Sequence, residues 1–118
     1  MGRGIVMDTK ELLERIKVLE YYQKLMFSML GNNTYPFYRM IIEKGLKEEQ
    51  VTAFFRVCDE LNKIWEEQKA EGFIHFHPLF QKFAESLPGS LKAKEVVEAC
   101  IKQQLFRPFM QEMQKYLS

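Results

Sequence analysis

Apolar residues near the start of the chain recur with a regular step. Leu12, Ile16, Leu19, Gln23, Met26 and Leu30 follow one another at alternating intervals of four and three. That is a heptad seam, the pattern of a helix that packs on other helices. A second row, Leu13, Val18, Tyr22, Leu25 and Met29, widens the apolar face. Gln23 interrupts the first row at a core-type position, where it either fixes register between helices or turns its amide to the rim. Asp8 or Thr9 is the expected cap, and Asp8-x-x-Glu11 has the spacing of a capping box. Glu11–Arg15 and Glu20–Lys24 are the expected ion pairs on its flanks. A helix from Thr9 to Leu30 would span roughly 33 Å.

Beyond it, glycines and prolines punctuate the chain. Gly31, Gly45, Gly72 and Gly89 follow helix-compatible stretches, while Pro36 and Pro78 open the next ones. The pattern predicts a short helix over 36–44, capped by Thr34 or Tyr35. It predicts a long helix over 47–71 whose seam is Val51, Phe54 or Phe55, Cys58, Leu61, Trp65 and Gln68. Further helices are expected over 78–86 and 92–104, with a last one after Pro108. Gly72 to His77 reads as an extended linker that sends Phe73 or Phe76 into the core, with His77 held extended by Pro78. The expected fold class is all-α, a multihelical bundle of five to six helices with a long N-terminal amphipathic helix. Residues 1–7 read as a disordered tail and 8–118 as a single helical domain.

Composition narrows the function classes. Seventeen basic and 16 acidic residues leave a net charge of +1. Phosphate contacts need clustered Lys and Arg, so a nucleic-acid binder working by bulk electrostatics is not expected. A polybasic membrane anchor is not expected either. No apolar run reaches the length of a membrane span, and residues 1–8 lack a signal-peptide pattern. Cys58 and Cys100 are the only cysteines; each lies on an apolar helical face and reads as a buried, reduced thiol of a cytoplasmic protein. Ten Phe, five Tyr, one Trp and seven Met exceed what a small bundle needs inside. The surplus points to a subunit interface and a homo-oligomer, a dimer or a trimer.

Candidate chemistry is sparse. His75-x-His77 would place two imidazoles on one side of an extended segment. They make a metal site only if Cys58, Cys100, Glu71 or Glu85 supplies a third ligand; otherwise His77 caps the following helix and His75 is solvated. Cys58 precedes Asp59 and Glu60, and acids raise a thiol's pKa rather than activate it, so Cys58 reads as core. Asp59 and Lys63 read as a surface pair. Tyr35-Pro36-Phe37-Tyr38 reads as an aromatic plug at the end of the bundle. The segment from Glu95 to Lys115 has a helix-break-helix rhythm, but its second helix lacks the basic and amide residues of a DNA-reading one.

Several short motifs together resemble a known family. Tyr35-Pro36-Phe37, Gly45-Leu46, Cys58-Asp59-Glu60-Leu61 and Gln68-Lys69-Ala70-x-Gly72-Phe73 look like the YhaI-like family, short cytosolic proteins of Bacillus-type bacteria whose domain has no assigned function. The resemblance runs from about Leu19 to the C-terminus. It implies an all-helical, self-associating subunit with no assigned activity or cofactor. The family tends to have Gly where this chain has Gln104, and Gln104 permits a continuous or gently kinked helix there.

The functional expectation is an oligomeric helical interaction or regulatory protein, adaptor-like and without catalytic activity or cofactors. Its oligomer interface is Leu12, Ile16, Leu19, Gln23, Met26 and Leu30; an exposed apolar groove on the assembled oligomer would favour a protein partner, and no nucleic acid and no membrane are expected. The alternative is a small-ligand or metal-binding helical protein built on the aromatic core and His75/His77.

Overall fold

A computed structural model describes residues 8–31 and 34–117. The expected disordered tail over 1–7 lies outside them. Helices account for most of the described residues, and no strand occurs among these. In chain order they are α1 (Thr9–Met29), α2 (Pro36–Lys44), α3 (Glu48–Ala70), α4 (His77–Glu85), α5 (Ala93–Gln103) and α6 (Arg107–Gln114). The all-α class and the long N-terminal helix are therefore as the sequence indicates. The chain divides into two compact units, 1–34 and 35–118.

The first unit is α1. Asp8 is its N-cap, and its carboxylate accepts a hydrogen bond from the Glu11 backbone N–H at 2.8 Å. That bond satisfies one of the N–H groups a helix start leaves without an internal partner. The ion pair that closes on α1 among the described residues is Glu14–Lys17 at 3.6 Å, with both side chains exposed. It forms in place of the expected Glu11–Arg15 and Glu20–Lys24, and at such exposure it adds little stability.

The second unit has its core on α3. Phe54, Cys58, Leu61 and Trp65 are buried along one stripe, while Val51 and Gln68 at its ends are half-buried. Around the stripe sit Phe37 of α2, Leu79 and Phe83 of α4, Val96, Val97 and Cys100 of α5, and Phe109, Met110 and Met113 of α6. Aromatic rings knit these helices together. Phe54 lies 5.7 Å from Phe37 and 6.0 Å from Phe83, and Trp65 meets Phe109 edge-on at 6.1 Å, centroid to centroid. Such geometries suit the ring quadrupole. Asp59 and Lys63 pair at 3.2 Å on the exposed side of α3, as their spacing predicts.

Helix ends follow local chemistry. α3 stops in a left-handed turn at Gly72 (φ 97°), where the Phe73 N–H reaches back to the Gln68 carbonyl at 2.9 Å. Of the two linker phenylalanines, Phe76 goes into the core and Phe73 stays exposed. His77 is not extended as expected but is the first residue of α4. Pro78 takes the following position, where a missing N–H costs no intrahelical bond.

The join between α5 and α6 is sharp. Gln104 adopts left-handed backbone (φ 62°), with the Leu105 N–H on the Cys100 carbonyl at 2.8 Å. That is the cap a glycine would make, formed by a residue with a Cβ. Phe106, two residues on, is also left-handed (φ 49°). The continuous or gently kinked helix that Gln104 permits is thus not formed; two left-handed residues turn the chain.

Candidate interaction surface

No residue of α1 is buried. Of the first seam, Leu12, Ile16, Leu19, Met26 and Leu30 are exposed, and Gln23 is half-buried. The second row, Leu13, Val18, Tyr22, Leu25 and Met29, is exposed throughout. Leu19 retains 64% of its accessible surface and Met29 81%. Soluble proteins seldom leave so continuous an apolar surface to water, and such surfaces mark association sites. Helices in folded proteins draw most of their stability from packing an apolar face, and α1 has no buried residue with which to do so.

The histidines are not drawn into a cluster. His75 and His77 are both exposed. The His77 ring lies beside Tyr116 (5.8 Å) and Phe80 (6.3 Å), aromatic neighbours rather than ligands. Among the described residues no three His, Cys, Asp or Glu side chains converge, so none of the expected third ligands joins the pair.

Cys58 and Cys100 are fully buried and unbridged. Burial pushes the Cys100 thiol up to about 12. Cys58 is raised as well, first by burial and then by the neighbouring Cys100. Thiols so held stay protonated and are poor nucleophiles. The aromatic plug is narrower than expected. Phe37 alone is buried, whereas Tyr35 and Tyr38 stack on each other at 5.9 Å on the surface. Beside Tyr38 an open groove is lined by Thr52, Phe55, Arg56, Asp59, Leu105 and Phe106. No described helix is long and apolar enough to cross a membrane.

Two polar devices escape sequence periodicity. The Gln103 side-chain oxygen accepts from the backbone N–H of Phe37 at 2.8 Å and of Tyr38 at 3.2 Å. α2 is therefore capped from α5, and neither Thr34 nor Tyr35 serves by its side chain. The second device joins Tyr116 to Glu112, the buried acid of α6. The Tyr116 hydroxyl accepts from the Phe76 N–H at 2.7 Å and donates to the Glu112 carboxylate at 3.3 Å, while Lys115 donates to the same carboxylate at 3.2 Å. Both acceptors sit on apolar-patterned helices, and only the polar interruptions of the pattern, Gln103 and Glu112, could have marked them. Their chemistry is structural: they fix one chain segment against another.

Residues 7–118 match a family described as protein of unknown function (DUF1878). Since the match covers nearly the whole chain, the protein belongs to that family.

Proposed function

We propose that this protein is a self-assembling helical interaction protein without catalytic activity, in which α1 of one copy packs on α1 of another. The observation that carries the reading is the pair of apolar rows on α1, exposed from Leu12 to Leu30. One neighbouring helix covers one such row, and two rows call for at least two neighbours. In a closed homo-oligomer a trimer supplies both from its other two α1 helices, while a dimer supplies one from its partner's α1 and leaves the other row to a further helix. The polar side chains set into the second unit support a non-catalytic role, since Gln103 is engaged by the backbone N–H groups of α2 and Glu112 by the Tyr116 hydroxyl. The balanced surface charge suits an adaptor-like or regulatory subunit in the cytoplasm, of the YhaI-like kind, that presents its second unit to a protein partner.

Mass in solution by light scattering tests the reading. The intact protein is expected to be oligomeric at micromolar concentration, and a Leu19→Glu, Met26→Glu variant to be monomeric with its second unit still folded. A monomeric intact protein would sink the proposal, and so would an oligomer that the two charges leave undisturbed.

A further inference from the structure

We infer that the α1 helices of neighbouring copies run parallel and in register, held there by Gln23 and by Arg15 against Glu20 of the second copy. This rests on the reading of α1 as the self-association surface and adds the direction of pairing. The alternating spacing assigns the heptad. Ile16, Gln23 and Leu30 take the first core position, and Leu12, Leu19 and Met26 the second. Arg15 and Tyr22 then precede a first core position, while Glu20 and Phe27 follow a second one. In a parallel, in-register pair these flanking positions meet across the seam at a step of five residues. Arg15 of one copy faces Glu20 of the other, and Tyr22 faces Phe27. The twofold symmetry repeats each contact.

The antiparallel arrangement of greatest overlap pairs these residues badly. Each flanking class then meets its own kind, so Glu20 opposes Glu20 across the dimer axis and Arg15 finds no acid. Gln23 would lie against Leu19, an amide buried on a hydrocarbon without a partner, which is costly. In the parallel pair Gln23 meets Gln23, and the two amides hydrogen-bond each other. A polar residue at a single core position is a recognised device for fixing register. Within one helix Arg15 and Glu20 do not face each other, because five residues place them about 140° apart. Any coupling between them is therefore between copies.

Two measurements on the full chain test the inference. A Gln23→Cys variant, mildly oxidised, is expected to form a covalent dimer, the native thiols being buried in the second unit. Arg15→Glu should weaken association about tenfold by replacing attraction with repulsion at symmetric sites, and Arg15→Glu with Glu20→Arg should recover most of that loss. An oligomer in which the position 23 cysteine stays unlinked overturns the parallel register while leaving self-association through α1 intact. A double variant no tighter than Arg15→Glu alone overturns it too. A wild-type monomer removes both this inference and the reading beneath it.

Discussion

Gln103, the last residue of α5, caps the start of α2 by accepting from Phe37, 66 positions earlier in the chain. Its side-chain oxygen takes two backbone N–H groups, and its side-chain nitrogen is buried without a hydrogen-bond partner. The acceptor is thus the half of the amide that matters. Gln103→Leu should cost about 1–2 kcal/mol, the usual range for a lost cap with its donors left behind. Gln103→Glu keeps the acceptor and places negative charge where the helix dipole favours it. Urea denaturation should rank the glutamate variant well above the leucine one. Equal losses would mean that the amide packs rather than caps.

Tyr116 closes a second long-range link. Its hydroxyl sits between the Phe76 N–H and the Glu112 carboxylate. Tyr116→Phe keeps the ring against His77 and Phe80 but strands a buried donor, for a loss of about 1–3 kcal/mol. Hydrogen exchange at the Phe76 amide should quicken more than exchange in the middle of α3. Uniform quickening would indicate global destabilisation instead.

The helices and their buried faces were legible because period and punctuation agree. Leu61 and Trp65 sit where the α3 stripe puts them, and Gly45 and Gly72 end helices as glycines do. The long-range caps were not legible, since nothing local ties Gln103 to Phe37 or Tyr116 to Phe76. Tyr35 and Tyr38 misled for a related reason: an aromatic run next to a proline looks like a plug, yet only the position facing α3, Phe37, is buried. The exposed rows of α1 were legible as a seam. A seam's period shows that a face is apolar but not which surface meets it, whereas the places of His75 and His77 follow from the fold of their own unit.

The α5–α6 corner carries removable strain. Gln104 holds a left-handed backbone that costs a residue with a Cβ about 1–2 kcal/mol. Gln104→Gly should therefore raise stability by up to about 1 kcal/mol, the gain being trimmed by glycine's greater freedom in the unfolded chain. Gln104→Val should lower it, because a branched side chain fits that region worst. A thermal shift of the same sign for both variants would show that the corner does not set the balance.

The two buried thiols give a pH signature. Burial lifts Cys100 from an ordinary value of 9.0 to about 12, and Cys58 is raised in the same direction. In the unfolded chain both ionise near the ordinary value, so above that pH the folded state holds more protons than the unfolded one. Stability must then fall as pH rises. The contribution of the two thiols is fully present below about 9 and is lost progressively toward 12. Replacing both by Ala should flatten the part of the alkaline decline that they cause, at the expense of some packing in the α3–α5 core. A thiol reagent at pH 8 should leave both residues unmodified in the folded protein and label both in urea. Fast labelling of either without denaturant would show that its thiol reaches solvent, and the alkaline slope assigned to it would have to come from another group.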